Sequence, residues 1–265
     1  MQIIFLLLFN ALVSALCFLV LWRISVRIKD VSFVDAWWGL GMVVIALSSY
    51  AFTGGSGPHA LALTAICTVW GLRLGLYLLW RWRQHGPDRR YVTMLGKAES
   101  ERGWSFARGA LLLVFALQAP LQFAVCLPVQ LGQIAPTLAL GPVGWAGIAL
   151  AVLGIAFESI GDAQLVRFKA DPANKGKVLD TGLWRYTRHP NYFGDACTWW
   201  GLWLIAAETG VWGIASIPGP ILITFLLTRW SGVPTVEGSI RKRRPDYEAY
   251  VARTSSFIPM LPKKA

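Results

Sequence analysis

The sequence predicts an all-α integral membrane bundle of seven transmembrane helices, with the N-terminus outside and the C-terminus in the cytoplasm. Three observations carry this. Of the 265 residues, 55% are hydrophobic, in runs long enough to cross a hydrocarbon layer of about 30 Å as helices of about 20 residues. The 25 Lys and Arg residues fall almost entirely in alternate connections, which orients a helical bundle by the positive-inside rule. The odd number of runs agrees with termini on opposite sides.

Each run follows in order. The first, residues 3–21, has no basic segment before it and no small-x-small site before Arg23, so it reads as a retained helix and not as a cleaved leader. The second, 37–52, is entered through Asp35, an acid placed to cap the helix or to meet a substrate. The third, 60–80, encloses Arg73, which snorkels or pairs with Asp35. A long basic connection follows, containing Arg81, Arg83, Arg89 and Arg90. The fourth and fifth, 109–131 and 143–160, are joined without a single Lys or Arg. The sixth and seventh, 192–207 and 211–228, are separated only by residues 208–210. A basic tail closes the chain, and Tyr247, Tyr250 and Phe257 within it point to a segment that folds back onto the bundle.

Composition also excludes. A net charge of +11 would suit nucleic acid, but its confinement to one side is a topogenic excess that also attracts anionic lipid. Cys17, Cys67, Cys126 and Cys197 lie within the apolar runs at no metal-ligand spacing. There is no zinc motif, phosphate loop or Ser-His-Asp arrangement. His59 and His85 stand isolated in connections, leaving His189 as the histidine with a suggestive context. The economical organisation is one membrane domain over 1–265, less specific over 1–140 and cofactor-binding over 141–265.

The candidate chemistry lies on the cytoplasmic side, where the long connections are. Glu158 and Asp162 are four apart, so they share a helix face. Asn191, Asp195 and Trp199 form a second such row, in a helix that Pro190 suits as first residue and His189 as cap. The positive end of that helix, beside a basic connection, attracts phosphate or another anion. Carboxylates and the Asn191 amide suit sugar hydroxyls or a carboxamide. Lys169, Arg185, Arg188 and Arg229 suit phosphates, and Tyr186, Tyr192 and Trp199 offer flat faces for a base. The competing reading is a set of helix-end ion pairs, such as Asp195 with Arg188 or Arg229.

The octapeptide Arg188-His-Pro-Asn-Tyr-Phe-Gly-Asp195, preceded by Gly182-Leu-Trp184 and followed by Trp199-Trp-Gly201, resembles the C-terminal signature of the steroid 5-alpha-reductase superfamily, which includes the sterol C14 and C7 reductases. The resemblance implies a seven-helix bundle that binds NADPH and takes a lipid or steroid-like substrate from the membrane. It implies nicotinamide contacts at Asn191, Asp195 and Trp199. Further cofactor contacts fall on Glu158, which stands where the steroid enzymes carry an amide, and on Asp162 and Lys169. Trp184, Arg185, Tyr186, Arg188, His189, Tyr192 and Glu237 join that set, with Arg229 and Arg108 matching two family arginines. On the substrate side it implies an acid and a tyrosine that polarise an enone carbonyl. Asp35 stands for the acid, while the tyrosine position holds Trp70, with Tyr77 the nearest tyrosine. The implied activity is NADPH-dependent reduction of a carbon–carbon double bond, in a bacterial inner membrane with the cofactor site facing the cytoplasm.

Two other classes compete. The isoprenylcysteine methyltransferases share an Arg-His-Pro-x-Tyr-x-Gly signature and bind S-adenosylmethionine. They place an apolar residue where Asp195 stands and a Glu-Glu pair where this chain has Val236-Glu237. A non-enzymatic seven-helix transporter or receptor would explain the spans but not the octapeptide.

Overall fold

The computed structural model describes residues 1–55, 57–241, 244 and 246–263, and no strand occurs among them. Of the basic run 241–244, Lys242 and Arg243 lie outside the described residues. In chain order the helices are α1 (Gln2–Ile28), α2 (Val34–Thr53), α3 (Pro58–His85), α4 (Arg89–Arg102), α5 (Phe106–Val125), α6 (Leu127–Leu131), α7 (Pro142–Ala170), α8 (Pro190–Ala207), α9 (Val211–Ala215), α10 (Pro218–Phe225), α11 (Val233–Arg241) and α12 (Tyr247–Arg253). A π turn, Leu111–Phe115, interrupts α5, and another, Leu226–Trp230, follows α10.

Among the described residues, six helices are long and apolar enough to cross a membrane: α1, α2, α3, α5, α7 and the composite stretch Val211–Gly238. These make the chain an integral membrane protein. The expected sixth run is helical as α8, but its 18 residues include Asn191, Asp195 and three tryptophans, and it falls short of the other six in apolar character.

The chain folds into two compact units, Met1–Trp145 with Leu202–Gly219, and Ala146–Gly201 with Pro220–Ala265. In the first unit α2 and α3 touch backbone to backbone: a Cβ added to Gly71 would lie 2.5 Å from the carbonyl oxygen of Gly39. Such close crossings are how helices associate where lipid removes any hydrophobic drive between them. The fully buried Asn10 cross-links the unit, donating to Ser49 Oγ (2.8 Å) and Gln130 Oε1 (3.1 Å) and accepting from Ser48 Oγ (2.7 Å). His59, expected to stand isolated, is instead buried, with Nδ1 2.8 Å from Thr137 Oγ1 and Nε2 2.7 Å from Glu208 Oε2. Sequence separation hid this pair, since Glu208 is 149 residues away.

In the second unit α7 and α8 cross at Gly154 and Gly194, where a Cβ on either would lie 2.5 Å from the carbonyl oxygen of the other. The tail folds back within this unit, as its aromatic residues predict. The Arg188 N–H donates to the Ser255 carbonyl (2.9 Å), the Met260 N–H to the Tyr186 carbonyl (3.0 Å) and Thr187 Oγ1 to the Phe257 carbonyl (2.8 Å). Phe257 also packs edge-on against Phe193, with ring centroids 5.9 Å apart.

Candidate functional site

In the first unit the turn between α1 and α2 is tied to the turn between α3 and α4. Asp30 accepts from the Trp82 indole (2.7 Å) and from the Ser32 N–H (2.8 Å), and Ser32 Oγ accepts from the Asp88 N–H (2.7 Å). Asp88 then caps α4 by accepting from the Arg90 N–H (2.8 Å), which satisfies a helix-end donor. This fixes Arg90 and Tyr91 in the first turn of α4, over Asp35 in the first turn of α2. The Tyr91 hydroxyl is 2.6 Å from Asp35 Oδ1, and Arg90 Nη2 donates to Asp35 Oδ2 at 3.1 Å. Gln118 Nε2 donates to the Tyr91 oxygen (3.2 Å), and Gln118 Oε1 accepts from the Trp38 indole (2.7 Å).

Burial, with the Asp35 charge beside it, pushes the Tyr91 phenol well above its usual value, so it stays protonated through the neutral range. Burial alone would raise Asp88, but the hydrogen bonds from the Arg90 side chain and N–H, and the Arg90 charge, hold it below the usual carboxylate range.

Of the residues the sequence singles out in this unit, Asp35 is in this network, with Arg90 and not Arg73 as its cation. Arg73 lies over the Tyr77 ring at 5.8 Å, and Tyr77 stacks on Trp80. Trp70 is buried in α3. Arg108 is exposed and lies over the Trp104 indole at 4.9 Å, with Arg102 over the same ring at 5.1 Å. Tyr91, Arg90, Gln118 and Trp38 escape sequence reasoning because three helices contribute them. Only Pro87-Asp88, a helix-start signal that sets Tyr91 in a first turn, was there to be read.

In the second unit the crossing of Gly154 and Gly194 lays two polar rows along one helix pair. Glu158, Asp162 and Asp195 are buried, Trp199 fully so, and Asn191 Nδ2 donates to Asp162 Oδ1 at 3.2 Å. Pro190 opens α8, and the His189 carbonyl accepts from the Phe193 N–H (3.0 Å), as the capping position predicts. Arg188 and His189 meet a third residue of the predicted set, Glu237. Arg188 Nε donates to Glu237 Oε1 (2.8 Å), His189 Nε2 is 3.0 Å from the same oxygen, and Arg188 Nη1 donates to the Thr254 carbonyl (2.5 Å). The carboxylate partner of Arg188 is therefore Glu237, and this cluster clasps the tail to the octapeptide. Tyr192 stacks flat on His189 at 5.2 Å. The Trp184 indole donates to the Gly161 carbonyl (3.0 Å), and Tyr250 donates to the Trp184 carbonyl.

Arg185, Tyr186 and Arg229 are exposed. Lys169 lines a cavity of about 240 Å³ together with Asp171, Asn174, Lys175 and Arg244.

Residues 21–254 match the family described as Protein of unknown function (DUF1295). The chain belongs to the DUF1295 family. Uncharacterized protein C594.04c of Schizosaccharomyces pombe is 22% identical to this DUF1295 member, over 91% of this chain and 76% of its own length. No solved structure matches the chain.

Proposed function

We propose that this protein reduces a carbon–carbon double bond conjugated to a carbonyl, in a steroid-like or other lipid substrate, with NADPH as reductant. The observation that carries the reading is the Asp35–Tyr91 pair at 2.6 Å: an acid and a phenol at the membrane edge, the arrangement that polarises an enone carbonyl. In this reading Tyr91, in place of Trp70 or Tyr77, is the phenol.

The residues present fit the cofactor. Buried acids and the Asn191 amide along α7 and α8 suit a carboxamide, ribose hydroxyls and a ring that becomes cationic. Phosphates call for cations, and the cavity lined by Lys169, Lys175 and Arg244 supplies three. S-adenosylmethionine carries no phosphate, so these cations favour the dinucleotide. Glu158, Asp162, Asn191 and Asp195 would hold the nicotinamide half, and Lys169, Lys175 and Arg244 the phosphates. When bound, the cofactor supplies the hydride.

The protein's part is to bind, orient and move a proton. Tyr91 donates to the substrate carbonyl and gives its proton to the oxygen as the β carbon is reduced and the double bond shifts to the enol. Asp35, in its protonated form, returns a proton to Tyr91 and recovers one from water, since its side chain is 23% exposed. Tautomerisation of the enol then places hydrogen on the α carbon. We further infer that α8 is the seventh span, with the N-terminus outside and the cofactor residues facing the cytoplasm of a bacterial inner membrane.

Detergent-purified protein should oxidise NADPH when given a 3-oxo-4-ene steroid or a simpler enone. Tyr91→Phe should lower turnover by about 10²-fold, the scale of one positioned acid, and Asp35→Asn should slow turnover while sparing NADPH binding. Full activity in both variants would remove the pair from the mechanism.

A further inference from the structure

We infer that Gln118, locked by Trp38, is a positioning residue that leaves the Tyr91 proton only two destinations, Asp35 and a substrate oxygen. An indole N–H donates and cannot accept, so the Gln118 atom 2.7 Å from Trp38 Nε1 must be the amide oxygen. The amide nitrogen is then the atom that faces Tyr91, at 3.2 Å, and an NH2 group only donates. Amide orientation is ordinarily assigned from the network around it; here a donor-only partner fixes it.

The consequence falls on the phenol. Its oxygen is taken by Gln118 as an acceptor, so its single proton is barred from that side. Asp35 Oδ1 at 2.6 Å is the acceptor present. When Asp35 is protonated, it donates to the phenol instead, and the Tyr91 proton turns to whatever oxygen lies beside it. Gln118 thus removes the third choice, a proton spent on a neighbouring side chain.

The surroundings hold the geometry. One turn further along α5, Gln122 Nε2 donates to the carbonyls of Trp37 (2.7 Å) and Trp38 (3.2 Å). Residues four apart share a helix face, so both glutamines of α5 are turned to α2, and the backbone that carries Trp38 is pinned beside the side chain that reads it. The Gln118 hydrogen bond also works against the burial that raises the Tyr91 phenol, the direction needed for a proton that must leave.

The inference rests on the reductase reading for the substrate oxygen, but its hydrogen-bond core is testable without turnover. The infrared C–O stretch of Tyr91, isolated by ring-labelled tyrosine and subtraction of the Tyr91→Phe spectrum, separates a phenol that both donates and accepts from one that only donates. The wild type should give the first signature. Gln118→Leu and Gln118→Glu should give the second, and Trp38→Phe, which frees the amide to flip, should shift toward it. A wild-type band in either Gln118 variant overturns the proposal, whether or not Trp38→Phe folds. If the wild type reduces an enone, Gln118→Glu should also lose at least about tenfold in kcat with the KM for NADPH unchanged; an undiminished kcat overturns the positioning role. Absence of enone turnover in the wild type would sink the reductase reading and leave the infrared result to decide the relay.

Discussion

Arg188 shows how far a single residue's role depends on its partners. Read along the chain it is a cation in a basic connection, suited to phosphate. In the fold its guanidinium is spent on Glu237 and on the carbonyls of Thr254 and Val251, with both side chains 9% exposed. Breaking a buried ion pair by deleting one partner leaves an uncompensated charge, a loss of about 3–5 kcal/mol. Glu237→Ala should therefore lower the melting temperature sharply and expose the tail to protease, whereas a phosphate-binding Arg188 would leave apo stability nearly unchanged. The same comparison explains why Glu237 joins the octapeptide: it is the acid that holds His189 and Arg188 together.

At the scale of elements, the two helix crossings and the pinned turns do the positioning. The pair His59–Glu208 holds the connection before α7, because Glu208 also accepts from the N–H groups of Gly141 (2.9 Å) and Val143 (3.1 Å). Burial alone would raise the Glu208 carboxyl, but hydrogen bonds from His59, Gly141 and Gly144 bring it below its usual 4.5. A depressed carboxylate stabilises the fold above its unfolded value, and that contribution is lost as pH falls through the folded value. The melting temperature should thus drop on acidification below about pH 4.5, and Glu208→Gln should flatten that drop. An equal acid dependence in the variant would assign the effect elsewhere.

Helix runs, the rows at spacings of four and the folded-back tail were legible in the sequence because each is written in local periodicity or composition. The partners of Asp35 and His59 were not, since a hydrogen bond between residues 56 or 149 apart leaves no mark on either neighbourhood. The shortfall of α8 as a span has a physical cause too. Asn191 and Asp195 lower its apolar character.

At the scale of the whole molecule, the Asp35–Tyr91 pair belongs to the first unit, and the acidic rows of α7 and α8 with Lys169 belong to the second. The charge distribution follows the same logic, since the connections that carry Lys and Arg also carry the network of Asp35 and the octapeptide. Membership in the DUF1295 family covers both units, as residues 21–254 are matched. A binding measurement on the full chain tests the account most directly: the melting temperature of the detergent-purified protein with NADPH or S-adenosylmethionine added in excess, in the wild type and in Asp195→Ala. Ligand that binds only the folded state raises that temperature. NADPH should raise it in the wild type and not in Asp195→Ala, with S-adenosylmethionine inert; a rise with S-adenosylmethionine alone would contradict the account.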